Sequence, residues 1–115
     1  MEKLIVIGGK RLKGTIRVNG AKNAILPILA ASLLTEGFSA INEVPRLLDV
    51  EAMKEVLTYL GAIIKCDGSK LVVDGSKVQT LEIAEDLMRR MRASNLVMGP
   101  LLGRFGKVKV AYPGG

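Results

Sequence analysis

The sequence predicts an α/β fold, and three observations carry that reading. From Thr15 to Asp74 the apolar patterning runs strand, helix, strand, helix, strand, strand. A new helix–strand pair then follows, as though the unit were starting again, which points to a repeat architecture that one copy does not close. The chain has 115 residues, 49% of them apolar, so it holds the material for one buried core rather than a disordered tail.

Two short strands open the chain, Leu4 to Ile7 and Thr15 to Val18, separated by the glycine-punctuated stretch Gly8 to Gly14. Asn19-Gly20 makes a turn. A helix follows from about Ala21 to Thr35 and stops at Gly37. Its apolar residues Ile25, Leu26, Ile28, Leu29, Leu33 and Leu34 lie on nearly all sides, which predicts burial over most of its circumference. Phe38 to Val44 reads as a strand. Asp49 is expected to cap a second helix, in which Val50, Met53, Val56, Leu57 and Leu60 follow helical spacing up to Gly61. Ala62 to Cys66 and Lys70 to Asp74 form a hairpin across the three-residue loop Asp67-Gly68-Ser69. A third helix starts between Ile83 and Asp86 and runs through Leu87, Met88, Met91 and Leu96 to Gly99-Pro100, where the proline kinks or restarts it. Gly103 and Gly106 lead into a last strand, Lys107 to Ala111, which enters the turn Tyr112-Pro113-Gly114-Gly115. A strand feeding such a turn with nothing after it reads as the front piece of a larger enzyme.

Composition narrows the function classes. Net charge is +6, from 17 basic and 11 acidic residues, which favours anionic partners. Only 3% of residues are aromatic and none is Trp, too few to build stacking platforms for single-stranded nucleic acid. The charge is also spread along the chain, so small phosphorylated ligands fit better than nucleic acid. With no His and a single cysteine, Cys66, the chain lacks the commonest general base, an internal disulfide and a multi-thiolate metal site. The apolar start is too short for a signal peptide. The longest apolar stretch, Ala24 to Leu34, is interrupted by Pro27 and Ser32 and falls short of the ~20 residues that span a bilayer. A cytoplasmic protein without membrane contact is expected.

Two stretches could carry chemistry. Asn19-Gly20-Ala21-Lys22-Asn23 places a lysine and an asparagine in the first turn of an otherwise apolar helix. Free backbone N–H groups and the positive dipole end converge there and suit a phosphate or carboxylate, with Lys22 adding charge and Asn23 a donor. The plainer reading is the solvated start of a buried helix. A cation at that end is unfavourable without an anion, which argues for function. In Arg89-Arg90-Met91-Arg92-Ala93-Ser94, Arg92 sits four residues before Leu96, close to the buried stripe, where bidentate phosphate binding would give it a purpose. A solvated basic face is the alternative. Cys66 reads as a core residue rather than a nucleophile, and Arg46 as a loop cation or a secondary anion contact. Gly106-Lys107 is followed by Val108 and Gly9-Lys10 by Arg11, so neither is a phosphate-binding loop ending in Ser or Thr.

Taken together, Asn19-Gly20-Ala21-Lys22-Asn23-Ala24 with Leu26-Pro27-Ile28-Leu29, then Val44-Pro45, Asp49-Val50, Met91-Arg92-Ala93-Ser94, Gly99-Pro100-Leu101, Gly103-Arg104-Phe105-Gly106 and Pro113-Gly114-Gly115 resemble the UDP-N-acetylglucosamine 1-carboxyvinyltransferase family, in order and over essentially the whole chain. The resemblance implies an enolpyruvyl transferase inside-out α/β barrel built of βαβαββ repeats, with the first repeat and part of the second present. It implies that residues 1–20 belong to a domain completed by later chain and that residues 21–115 begin the other domain. It implies transfer of enolpyruvyl from phosphoenolpyruvate to the 3-hydroxyl of UDP-N-acetylglucosamine with release of phosphate, using neither metal nor organic cofactor. Lys22 and Asn23 match the family's phosphoenolpyruvate-binding pair and Arg92 its arginine for UDP-N-acetylglucosamine. The family's general-acid cysteine, the fosfomycin target, would fall immediately after Gly115, and Cys66 does not match it. The partners implied are the two substrates and the remainder of the enzyme as a second segment. A shikimate 3-phosphate enzyme of the same fold is the alternative, disfavoured by Gly20-Ala21-Lys22-Asn23, where that sister family carries a serine-rich motif. A non-catalytic basic binding module is the other.

Overall fold

The structure, a computed structural model, describes residues 2–83, 85–90 and 92–110. The first helix, α1 (Lys22–Ala31), passes into a 3-10 turn over Ser32–Leu34. Pro27 lies inside it and removes the bond its N–H would make one turn back. Burial of Ile25, Leu26, Leu29 and Ala30 carries the helix across that gap. The expected burial on most sides is corrected: Ala24, Pro27, Ile28, Ala31 and Leu34 face outward, with Ile28 49% exposed. A single helical layer packs one side of α1, and no described element covers the other.

Strand β1 (Phe38–Ile41) is shorter than expected, because Glu43 turns the backbone at φ 58. The Val44 N–H bonds the Ser69 carbonyl at 2.8 Å. The second helix, α2 (Leu48–Leu60), buries Val50, Met53, Val56, Leu57 and Leu60, the stripe that the spacing predicts. It ends on Gly61 at φ 114, where a Cβ would lie 2.5 Å from the Lys77 carbonyl oxygen. Only glycine fits that left-handed, crowded position.

Strands β2 (Ile63–Asp67) and β3 (Lys70–Asp74) pair antiparallel, with Asp67 opposite Lys70, so the connection is the two residues Gly68-Ser69 rather than three. β1 pairs antiparallel with the other edge of β3. The sheet order β1-β3-β2 therefore sets β1 and β2 parallel across a central β3, with α2 as their crossover. Leu71 and Val73 point from β3 into the core with α1 and α2.

Four expectations along the chain are overturned. Leu4 to Ile7 and Thr15 to Val18 form no strands: Leu4, Ile5, Val6 and Ile7 are 80–92% exposed. A strand exists only with a ladder partner, and none of the described residues supplies one there. The third helix breaks into α3 (Glu85–Arg90), a 3-10 segment Arg92–Val97 and α4 (Met98–Phe105). Its start at Glu85 falls within the expected Ile83 to Asp86, and the residues ahead of it form β4 (Glu82–Ile83), which pairs in parallel with β5 (Lys109–Val110). Pro100 is the third residue of α4, in the first turn, where its missing N–H costs little. Cys66 is exposed, not in the core. The turn at Tyr112-Pro113-Gly114-Gly115 lies outside the described residues.

Arg104 on α4 fastens the second half to the first. Its Nη1 donates to the Leu33 carbonyl at 2.9 Å and the Gly75 carbonyl at 2.7 Å, and its guanidinium lies 4.7 Å from the Phe105 ring centroid. Val97 and Leu101 complete the core beside α1.

Candidate functional site

The site is built around the start of α1. Gly20 is pressed against the exit of β1, where a Cβ would stand 2.6 Å from the Glu43 carbonyl oxygen and 3.3 Å from the Pro45 ring. Backbone can approach backbone that closely only at glycine. The same approach brings Lys22, the first residue of α1, beside the entry to α2. The ladder of α1 begins with the Ala24 and Ile25 N–H groups on the Ala21 carbonyl, at 3.2 and 2.9 Å. The N–H groups of Lys22 and Asn23 stand ahead of it, and Ala21 offers no side chain to cap them. Two donors and a positive dipole end therefore face outward, with Lys22 and Asn23 exposed on the same turn.

Asp49 is not the cap of α2 that the sequence suggests. The N-cap is Leu47, with no side-chain cap bond, and Asp49 is the second helical residue. Its Oδ2 lies 3.3 Å from the Lys22 Nζ. The internal carboxylate answers part of the penalty that a cation meets at a helix N-terminus, so that penalty by itself does not demand an external anion. The side chains are 52% and 45% exposed, and such a pair stabilises a fold by only about 0–1 kcal/mol.

Arg92 opens the 3-10 segment, which packs against α1, the helix that carries Lys22. Its guanidinium lies outside the described side chains, so the meeting of Lys22 and Arg92 is not shown. Arg89 pairs with Glu85 one turn back on α3 and is a solvated helix-face cation.

Two clefts flank the site. One, of about 310 Å³, lies between Arg17, Asn19 and Gly20 on one wall and Glu43, Pro45 and Ser69 on the other, with Arg17 and Glu43 paired across it. The second, of about 550 Å³, is lined by Arg46, Leu48, Lys54, Cys66 and Leu71 among others. Burial pulls the Lys54 ammonium down, but hydrogen bonds to Glu51 and Cys66 outweigh it and hold the group above its ordinary value. Lys22 and Asn23 line neither cleft. Arg104, whose role sequence reading missed, is a structural clamp; its Nε is buried without a partner among the described residues. Among the described residues no helix is long and apolar enough to cross a membrane.

Comparison with known proteins shows the family. The profile of the family described as EPSP synthase (3-phosphoshikimate 1-carboxyvinyltransferase) matches residues 6–115. A UDP-N-acetylglucosamine 1-carboxyvinyltransferase from Desulfosudis oleivorans is 51% identical over 115 residues, covering 100% of this chain and 28% of that protein. One of the same name from Coxiella burnetii is 50% identical over 116 residues, covering 100% of this chain and 27% of its own length. The chain thus spans little more than a quarter of the curated relatives it matches. The crystal structure of the enolpyruvyl transferase NikO from Streptomyces tendae superposes with a TM-score of 0.71 at 28% identity, over 86% of this chain and 23% of that one.

Proposed function

This chain belongs to the EPSP synthase (3-phosphoshikimate 1-carboxyvinyltransferase) family, and from that premise we propose that it is the N-terminal part of a UDP-N-acetylglucosamine 1-carboxyvinyltransferase. Its fold is that of an enolpyruvyl transferase. The assembled enzyme moves enolpyruvyl from phosphoenolpyruvate to the 3-hydroxyl of UDP-N-acetylglucosamine and releases phosphate, the step that commits the sugar to peptidoglycan. It works in the cytoplasm, in support of cell shape and division.

Within that reading Lys22 and Asn23 bind phosphoenolpyruvate and Arg92 binds UDP-N-acetylglucosamine. The reaction builds charge on a carboxylate, a phosphate and a cationic carbon, so it needs fixed positive groups and closure against water. Lys22 and the N–H groups around it are part of that field. The general-acid cysteine, sensitive to fosfomycin, follows Gly115 on a segment beyond this sequence. Residues 1–20 belong, in this reading, to the domain that later chain completes, where Leu4 to Ile7 and Thr15 to Val18 would gain the strand partners they lack here; the exposure of Leu4, Ile5, Val6 and Ile7 supports it.

The observation that supports this reading most is a similarity that covers the entire chain to enzymes of one name. The Lys22-Asn23 helix start gives it a physical basis. Thermal denaturation of the assembled enzyme tests it. UDP-N-acetylglucosamine at a hundred times its Kd should raise the stability by about 2.7 kcal/mol, and shikimate 3-phosphate should not. Protection by shikimate 3-phosphate in its place would move the chain to the sister activity.

A further inference from the structure

We infer that Asp49 is a positioning residue for Lys22, holding its ammonium at the mouth of the anion site so that the remaining N–H donors face phosphoenolpyruvate. This rests on the reading of Lys22 as a phosphoenolpyruvate contact, and it concerns a residue that the sequence marks only as a helix cap.

The pair joins two elements that are remote in sequence, the first residue of α1 and the second residue of α2, at 3.3 Å. Asp49 makes no capping bond, since the N-cap of α2 is Leu47 without a side-chain bond. The dipole of α2 favours a negative charge in that first turn, so the carboxylate is held at its place by its own helix. Lys22 is in the opposite situation. The dipole of α1 repels its charge, its flexible stem lets the ammonium swing into water, and the backbone donors it would supplement point out of the helix end. A fixed carboxylate at hydrogen-bonding reach removes that freedom in advance of binding.

An ammonium has three donors. One directed at Asp49 leaves two for a phosphate or carboxylate oxygen, beside the N–H groups of Lys22 and Asn23 that precede the helical ladder. Asp49 therefore orients Lys22 without occupying the site. Electrostatics alone would give the reverse result, because a carboxylate this close repels an incoming anion. The two effects differ in sign, so the direction of the change on removing Asp49 decides between them.

The test uses the enzyme assembled from this chain and the remaining sequence of the Desulfosudis oleivorans relative. Asp49→Ala is expected to raise KM for phosphoenolpyruvate about three- to fivefold while kcat changes less than twofold and KM for UDP-N-acetylglucosamine is unaltered. In the double variant with Lys22→Ala, loss of Asp49 should add nothing to the KM already raised by loss of Lys22, and Asp49→Glu should recover part of the affinity. A merely structural role would lower the melting temperature and act additively with Lys22→Ala. An unchanged or lowered KM, or additive losses, overturns the inference. Should Asp49→Ala fail to fold, the isosteric Asp49→Asn is read by the same criteria. Failure of the functional reading itself would show earlier, as no sugar-dependent phosphate release from the unsubstituted enzyme.

Discussion

Lys22 concentrates what single residues contribute. It is a half-exposed cation at a helix start, in a pair too weak to matter for stability, so its replacement separates binding from folding. In the assembled enzyme Lys22→Ala should weaken phosphoenolpyruvate binding ten- to a hundredfold, about 1.4–2.8 kcal/mol, with little change in melting temperature. Isothermal titration beside a thermal melt checks this, and a lowered melting temperature with unchanged binding would return Lys22 to the solvated helix start. Gly20→Ala should act differently, since the added methyl meets the Glu43 carbonyl. It should lower stability and phosphoenolpyruvate affinity together, because the approach that sets Lys22 beside Asp49 is lost. Asp74 supplies a pH-dependent residue. The Ser76 hydroxyl and the Ser76 N–H, at 3.0 Å, hold its carboxyl below the ordinary value. A depressed folded pKa contributes stability that is present at higher pH and is lost as pH falls through it, here below about pH 4. Melting curves from pH 6 to 3 should fall more steeply for the native chain than for Asp74→Ala, and parallel curves would contradict that.

At the scale of elements, what could be read in the sequence is what local residues decide. α2 and the β2–β3 hairpin emerge where expected, because an amphipathic stripe, a terminal glycine and a tight turn each act within a few residues. The failures are elements whose partners are distant. The segments Leu4 to Ile7 and Thr15 to Val18 have strand patterning without a described neighbour to pair with, and β4 was not legible because its ladder partner, β5, lies far along the chain. The Lys22-Asn23 pair was legible at the helix start. Its contact with Asp49 was not, since nothing local in the sequence joins the starts of two helices. Arg104 was legible only as part of a motif, and its three-way clamp requires the fold. Arg104→Met should destabilise by about 1–3 kcal/mol, as carbonyls of Leu33 and Gly75 lose a charged donor. A urea denaturation midpoint unchanged from the native chain would rule the clamp out.

For the whole molecule, two features mark a piece of something larger. One side of α1 is left apolar and open at Ala24, Pro27, Ile28 and Ala31, and the arm from Glu2 to Gly20 carries apolar side chains into solvent. An unclosed repeat agrees with a chain that spans about 28% of a curated relative. The chain alone is expected to bring substrate contacts and no turnover. The most direct measurement is phosphate released from phosphoenolpyruvate by three samples: the chain alone, the assembled enzyme with UDP-N-acetylglucosamine, and the assembled enzyme with shikimate 3-phosphate. Release in the second sample only is the predicted result. Sugar-dependent release by the chain alone, or release in the third sample rather than the second, would contradict it.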